Sequence, residues 1–336
     1  MKKTKIVAIG GGTGLPMVLE GLKNYDCELT AIVTVTDSGR SSGALRKDYN
    51  VLPPGDIRNC LIALSESEKL LQDLFQYRFE NGCLEGHSFG NLFIAALSKL
   101  TGSFEEAIKE ASKILKIKGK VLPSTLEDVH ICAELEDGSV LEQEDNITRR
   151  SQKTNNDPKI KRVFLKPDRI NANPEAVKAI EEADVIVIGP GSVYVSIATN
   201  LLIEGIREAI KISKAKKIYI CNIMTQPFQS DDFKASDHIK TIINYIGNGV
   251  LNYAILNNGV PSKELLDLYA KEHAFMVEND LDEIKKLKVM PVLANLIEKT
   301  DEKRILWEKR DLLRHDSEKL AKIIMELSQI PYENKK

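Results

Sequence analysis

Residues 6–14, IVAIGGGTG, close a short apolar run with four glycines and lead directly into residues 15–23, LPMVLEGLK, whose apolar spacing is that of a helix. Strand, tight turn and helix in that order leave few options for how the fold begins. Glycines at the turn let a ligand's oxygens approach bare backbone, and the helix N-terminus offers N–H donors and the positive end of its dipole. Gly11, Gly12, Thr13 and Gly14 therefore read as a cradle for an anionic group. The pattern lies between two known motifs. Walker A needs Gly-Lys-Ser/Thr after its last glycine, and the dinucleotide fingerprint needs a glycine where this chain has Leu15. The alternative is a cluster that only makes a tight strand-to-helix turn.

Apolar runs rich in Val and Ile alternate with amphipathic stretches along most of the chain. Strands are expected at residues 5–9, 29–35, 185–188, 218–221, 253–256 and 274–277, and helices near 57–65, 70–78 and 89–100, with a long polar loop after the second strand. That alternation predicts an α/β fold: a Rossmann-like, mostly parallel sheet with helices on both faces. Ser103 and Glu106 form a capping box for a helix to about Lys116, Asn173 and Pro174 open another, and Asp316 caps a last one over residues 317–327. Residues 120–166 differ in texture. The runs 129–135 and 140–142 flank an Asp137–Gly138 turn and 163–165 is a further strand, so a small β-rich lobe is expected there. The organisation read from this is one α/β domain over residues 1–330, with a β-rich insertion at about 119–166 and a charged tail at 331–336. Arg149, Arg150, Lys153, Lys159, Lys161 and Arg162 surround a polar segment in the lobe and read as a solvated loop.

A chain of 336 residues can bury a substantial core, and its 47 Lys and Arg against 49 Asp and Glu leave a net charge of −2. No global basic field recommends nucleic acid or an anionic membrane, so an anion site must be local. Cys27, Cys60, Cys83, Cys132 and Cys221 are odd in number, scattered and without a C-x-x-C, which suits reduced core thiols. The first strand begins within five residues of Met1, and no apolar run approaches the ~20 residues a spanning helix needs. A cytoplasmic protein without membrane insertion is expected.

In an open α/β sheet, ligands sit at the carboxyl ends of the strands, so the residues after each apolar run carry the most information. Asp37, 23 residues beyond Gly14, is placed to accept bonds from ribose hydroxyls, to hold Mg²⁺ beside a phosphate, or only to start a Ser/Gly turn. In LPPGDIRN, residues 52–59, Asp56 can cap the next helix while Arg58 offers a planar fork to phosphate or carboxylate; the plain alternative is a surface pair of Arg58 with Asp56 or Glu66. Gly86-His87-Ser88-Phe89-Gly90-Asn91 opens another helix. Ser88 reads as its cap rather than a nucleophile, because adjacent Ser and His seldom meet in the required geometry. A second turn, Gly189-Pro190-Gly191-Ser192, follows the strand at 185–188, and Asn222 to Pro227 follow the next. The five histidines lack metal spacing, and His130 is expected in a core strand.

Taken together, GGGTG at 10–14, SSG at 41–43, PPGDIRN at 53–59, FQYRF at 75–79, GHSFGNL at 86–92, KVLPST at 120–125, GPGSVY at 189–194, ICNIMTQP at 220–227 and LRHD at 313–316 resemble the YvcK-like gluconeogenesis factors of bacteria. That family shares a superfamily with the CofD-type 2-phospho-L-lactate transferases. The resemblance implies a Rossmann-like sheet with one open cleft, binding of UDP-sugars such as UDP-N-acetylglucosamine, and a role in cell shape and peptidoglycan synthesis during growth on gluconeogenic carbon. It implies no required cofactor. NAD(P), also a diphosphate flanked by ribose, fits the same cleft, and Mg²⁺ would sit at Asp37. A homo-oligomer and a cell-wall synthesis protein as partner are further expectations. Carried onto this chain, the ligand residues are Gly11, Gly12, Thr13, Gly14, Asp37, Asp56, Arg58, Asn59, Ser88, Asn91, Gly191, Ser192, Asn222, Thr225, Tyr269 and Arg314.

Two segments depart from the family pattern. Where the family often reads Asp-Asp-Gly-Gly-Ser-Ser-Gly, this chain has Asp37-Ser38-Gly39-Arg40-Ser41-Ser42-Gly43, which removes a carboxylate and adds a cation. Where it reads Gly-Glu-Thr after TQP, this chain has Phe228-Gln229-Ser230. A nucleotide-sugar-binding factor without catalysis is the leading expectation, a CofD-like transfer of a phospholactyl-type group the first alternative, and an NAD(P)-dependent oxidoreductase the second.

Overall fold

The computed structural model describes residues 3–148, 157–298 and 313–330. Ten strands fall within them: β1 (Thr4–Gly10), β2 (Cys27–Val33), β3 (Lys120–Pro123), β4 (His130–Leu135), β5 (Val140–Glu142), β6 (Ile160–Lys166), β7 (Val185–Ile188), β8 (Lys216–Ile220), β9 (Tyr253–Asn257) and β10 (Met290–Ala294). Seven form one sheet in the order β10-β9-β8-β7-β1-β2-β3, and every pairing in it is parallel. The expected α/β class is what the chain adopts. Ile6, Ala8, Ile9, Ile186, Val187 and Ile188 are fully buried, as central parallel strands covered on both faces require.

The order reverses between β1 and β7. From β1 the chain works outward through β2 to β3 on one side, then returns to start again at β7 on the other. At such a switch point the loops at the carboxyl ends of the two strands part in opposite directions and leave a crevice. Register makes the two loops level: Ile9 pairs with Ile188, and the Gly189 N–H donates to the Ile9 carbonyl at 2.9 Å.

The remaining strands form an antiparallel sheet in the order β5-β4-β6, the β-rich lobe. Lys120–Pro123 is not part of it. Those residues pair with β2 as the edge of the main sheet. The first five α-helices are α1 (Gly14–Leu22), α2 (Arg40–Tyr49), α3 (Gly55–Leu64), α4 (Lys69–Gln76) and α5 (Phe89–Thr101). The polar loop expected after β2 is in large part α2. Its apolar content is too low to show a helical stripe, yet Ser41, Ser42, Leu45 and Arg46 face inward, and the Arg46 guanidinium bonds Asp128 and the Val129 carbonyl beside the lobe.

The stretch 274–277 forms no sheet strand. Its backbone bonds go to a neighbouring loop, through Thr225 N–H to the Phe275 carbonyl at 2.7 Å and Val277 N–H to the Ile223 carbonyl at 3.0 Å, so Met290–Ala294 takes the sheet edge instead. His130 lies in β4 as expected but is only half-buried. Ser103 caps its helix by accepting the Glu106 N–H, Asn173 accepts that of Glu175, and Asp316 that of Lys319. Cys60, Cys132 and Cys221 are buried, whereas Cys83 is exposed. No helix among the described residues is long and apolar enough to cross a membrane. Arg149, Arg150, Lys153 and the charged tail lie outside the described residues; Lys161 and Arg162 both pair with Glu134, and Lys159 with Asp232.

Candidate functional site

The two glycine turns meet. A Cβ on Gly14 would stand 2.3 Å from the Pro190 carbonyl oxygen, so the first turn needs its glycine to pass this closely, while Gly191, at φ +150, lies in ordinary contact range of the Gly11 carbonyl. Gly12 adopts φ +64, a left-handed conformation that glycine takes without strain. Thr13 is exposed at the N-cap of α1 with no side-chain capping bond. Across the crevice, the Asn222 side-chain oxygen accepts the Gly191 N–H at 3.1 Å, and the Ser192 hydroxyl accepts the Val195 N–H and donates to Gln229 at 2.5 Å.

Asp56 does not cap α3. It sits inside the first turn of that helix, and its carboxylate reaches back to accept the Gly12 N–H at 2.7 Å. Gly11 must lack a side chain for this to happen, because a Cβ there would lie 2.5 Å from the Thr34 methyl and 2.7 Å from the Asp56 carboxylate. Asp37 stands beside it, spending one oxygen on the Gly39 N–H at 2.9 Å, while its other oxygen lies 2.8 Å from where a Gly55 Cβ would be. Loss of hydration is the main reason the Asp56 carboxyl is pushed up to about 7, with the Asp37 charge adding to it; the Gly12 N–H and Arg58 pull the other way. Two carboxylates at the rim of a glycine turn make an oxygen donor set suited to Mg²⁺ once a diphosphate supplies further oxygens. Among the described residues, no group of three or more His, Cys, Asp or Glu comes together to hold a metal by itself.

Arg58 does not stay free as an anion clamp. It is buried, and its guanidinium donates to the Ser88 hydroxyl, to Asn91 at 3.0 Å and to its neighbour Asn59 at 2.7 Å. Gly90 makes room for it, since a Cβ there would meet the Arg58 stem at 2.7 Å. Ser88 caps α5 through the Asn91 N–H, and the Asn91 amide continues to Ser42 on α2. Arg58, Asn59, Ser88 and Asn91 thus form one network tying α2, α3 and α5 together.

A third group lies at the far end of the crevice. The His315 ring bonds the Cys221 carbonyl at 3.1 Å, docking the LRHD segment where β8 ends, and the Tyr269 hydroxyl accepts the Leu313 N–H at 2.9 Å. Arg314, between these two anchored neighbours, is half-buried. The Thr225 hydroxyl is buried and taken up by the Phe275 N–H. Ser196 and Asn200 were not among the expected residues. They occupy the π-helical turn Val193–Ala198 and the residues after it, where the Asn200 amide donates to the Gly10 carbonyl at 3.1 Å and Ser196 Oγ lies 3.3 Å from where a Gly12 Cβ would stand. Ser196 and Asn200, four residues apart, are the two side chains of this stretch placed at the first glycine turn.

Fold and site together define a Rossmann-like α/β protein with its ligand crevice at the switch point of a parallel sheet. The family model described as 2-phospho-L-lactate transferase CofD matches residues 6–297, and the chain belongs to that family. It is 45% identical over 327 residues to the gluconeogenesis factor of Halalkalibacterium halodurans, covering 97% of each chain. Against the gluconeogenesis factor of Bacillus subtilis it is 43% identical over 327 residues, 97% of this chain and 98% of the relative. A crystal structure of a upf0052-family protein from Bacillus halodurans superposes with a TM-score of 0.89 at 44% identity, over 97% of this chain and 99% of that one.

Proposed function

We propose that this chain is a cytoplasmic nucleotide-sugar-binding factor whose crevice takes UDP-N-acetylglucosamine or a close relative, the diphosphate lying between the two glycine turns. The observation that carries the reading is their close packing at the ends of β1 and β7, beside Asp37 and Asp56. Mg²⁺ held by those carboxylates would neutralise the diphosphate, and Arg314, with Asn222, would face the outer part of the ligand. By likeness to relatives named gluconeogenesis factor, the liganded form would act during gluconeogenic growth; we extend the proposal to a role in cell shape and peptidoglycan synthesis through a cell-wall protein partner, as a homo-oligomer.

Calorimetry tests it. UDP-N-acetylglucosamine should release or absorb heat on binding, more strongly with Mg²⁺ present, and Asp37→Asn should remove the Mg²⁺ dependence. A folded protein that gives no heat with this ligand, with or without the cation, ends the proposal. NAD(P) in a competition arm reports whether the same crevice takes another diphosphate.

One observation favours a second reading, transfer of a phospholactyl-type group from a nucleotide diphosphate donor to an alcohol. A carboxyl held at about 7 can take a proton from an attacking hydroxyl at neutral pH, and Asp56 has that property within the crevice. Product formed from donor, acceptor alcohol and Mg²⁺ by the wild type, and not by Asp56→Asn, would establish it.

A further inference from the structure

The second glycine turn hands donors of its own to two side-chain amides. The Gly189 N–H is spent on the Ile9 carbonyl and Pro190 has none, while the Gly191 N–H goes to Asn222 Oδ1 at 3.1 Å and the Ser192 hydroxyl to Gln229 Oε1 at 2.5 Å. Asn222 and Gln229 thus both turn their carbonyl oxygens to the turn, which leaves two N–H groups on each amide nitrogen. Neither nitrogen bonds a described residue, and neither is sealed from the surface. Gln229 is fixed from behind by a loop closed on itself. Its N–H and that of Ser230 donate to the Gln226 carbonyl at 3.1 and 2.9 Å, and the Gln226 N–H donates to the Ser230 hydroxyl at 2.8 Å. Phe228 takes φ +67 in this loop, a conformation that is unfavourable for a bulky residue. The strain sits in the turn that sets Gln229 against Ser192.

The other wall of the crevice has the opposite character. There the Gly12 N–H is taken by Asp56, with the Asp37 charge close by, so a diphosphate meets carboxylates as well as glycines. We infer that Gln229 is a specificity-determining residue: with Asn222 it donates from its amide NH₂ to the phosphate at the second turn, and so lets this chain hold a diphosphate in part without a cation. The inference rests on the nucleotide-sugar reading and deepens it. A neutral amide beside a phosphate oxygen makes a charge-assisted hydrogen bond and brings no like charge to the ligand. A carboxylate at position 229 would accept the Ser192 hydroxyl equally well, yet it would offer no N–H and would add a charge of the wrong sign. Mg²⁺ would then be needed at both walls. Phe228-Gln229-Ser230 stands where the family pattern often has Gly-Glu-Thr, so this neutral donor sets the chain apart from that pattern.

Calorimetry on the full chain tests it, with UDP-N-acetylglucosamine as probe, once in EDTA and once with Mg²⁺. The wild type should bind in both conditions. Gln229→Glu keeps an acceptor for the Ser192 hydroxyl and loses the donors; it should weaken binding in EDTA by roughly tenfold or more, the loss expected for a charge-assisted hydrogen bond, and Mg²⁺ should restore most of the affinity. Asn222→Asp makes the same exchange at Gly191 and should behave alike, which keeps the test open if the first variant does not fold. A variant that only displaced the turn would lose affinity in both conditions, so recovery with Mg²⁺ separates donation to the ligand from a structural role. A wild type that binds only with Mg²⁺, variants as tight as the wild type in EDTA, or losses that Mg²⁺ leaves in place would overturn the inference while the nucleotide reading stands. A folded wild type that binds in neither condition ends both.

Discussion

Replacing Asp56 by Asn should make the protein more stable, and increasingly so as pH rises. A carboxyl held at about 7 in the folded chain, against an ordinary 3.8, opposes folding once both states are ionised, by about 4 kcal/mol. The sign follows from proton binding: between pH 4 and 7 the folded chain holds this proton and the unfolded chain has released it, so stability falls as pH rises through that window and then levels off. Asn keeps an oxygen for the Gly12 N–H and presents its amide to the Asp37 carboxylate, so the main change is removal of the charge. For 336 residues unfolding with about 0.7 kcal/mol/K of entropy, 4 kcal/mol corresponds to a rise in Tm of about 6 °C. The assay is thermal unfolding of both proteins from pH 4 to 8.5 without divalent cations. The curves should coincide near pH 4 and separate steadily to pH 7. A constant offset across the range, or a wild type that is the more stable above pH 7, would refute the reasoning that burial and Asp37 hold the Asp56 proton.

Asn257→Ala, at the end of β9, should cost about 2–4 kcal/mol in urea unfolding, because its side chain accepts the Gly259 and Leu296 N–H groups at 3.0 Å each and both donors would be left buried without acceptors. His238 is fully buried with neither ring nitrogen hydrogen-bonded to a described residue, and burial pushes it down to about 4. The unfolded chain protonates this histidine first, so its contribution is lost as pH falls from 6.5 toward 4; His238→Phe should lose about 3 kcal/mol less than the wild type over that span, and parallel curves would count against it. Gly12→Val should abolish binding at the glycine turn and also lower Tm, because a β-branched residue is forced to φ +64 with Ser196 3.3 Å from its Cβ. Unchanged UDP-N-acetylglucosamine affinity in this variant would move the diphosphate away from residues 10–14.

The sheet was legible because its strands are nearly uninterrupted Val and Ile runs bounded by glycine turns, and because caps such as Asn173-Pro174 and Asp316 announce helices by local chemistry. What escaped was whatever depends on partners far away in sequence. Helix α2 carries Ser, Gly, Arg and Lys where a stripe would need apolar residues, and it is fixed from outside, through Arg46 to Asp128 and Val129 and through Ser41 to His87. Residues 274–277 have a strand's composition, but nothing in them says that their donors will meet the loop at 223–225 before they meet the sheet edge.

The site divides along the same line. Glycine positions are readable from sequence because the requirement they meet is their own: no Cβ fits at Gly11 or Gly14, and φ is positive at Gly12. Asp56 and Arg58 are different, since an acid early in a helix and an arginine two residues on suit a cap and a free clamp equally well until the fold supplies their partners. Gly12 lies 44 residues before Asp56, and Asn91 33 residues after Arg58. Once those contacts form, the roles exchange: the carboxylate guards the glycine turn, and the guanidinium becomes the buried tie that holds three helices in place beneath it. From sequence alone, nothing near Arg58 announces that its guanidinium is bonded to Ser88, Asn91 and Asn59. Ser196 and Asn200 are passed over in the same way, since their spacing of four only gains meaning once the Asn200 amide is bonded to the Gly10 carbonyl, 190 residues away.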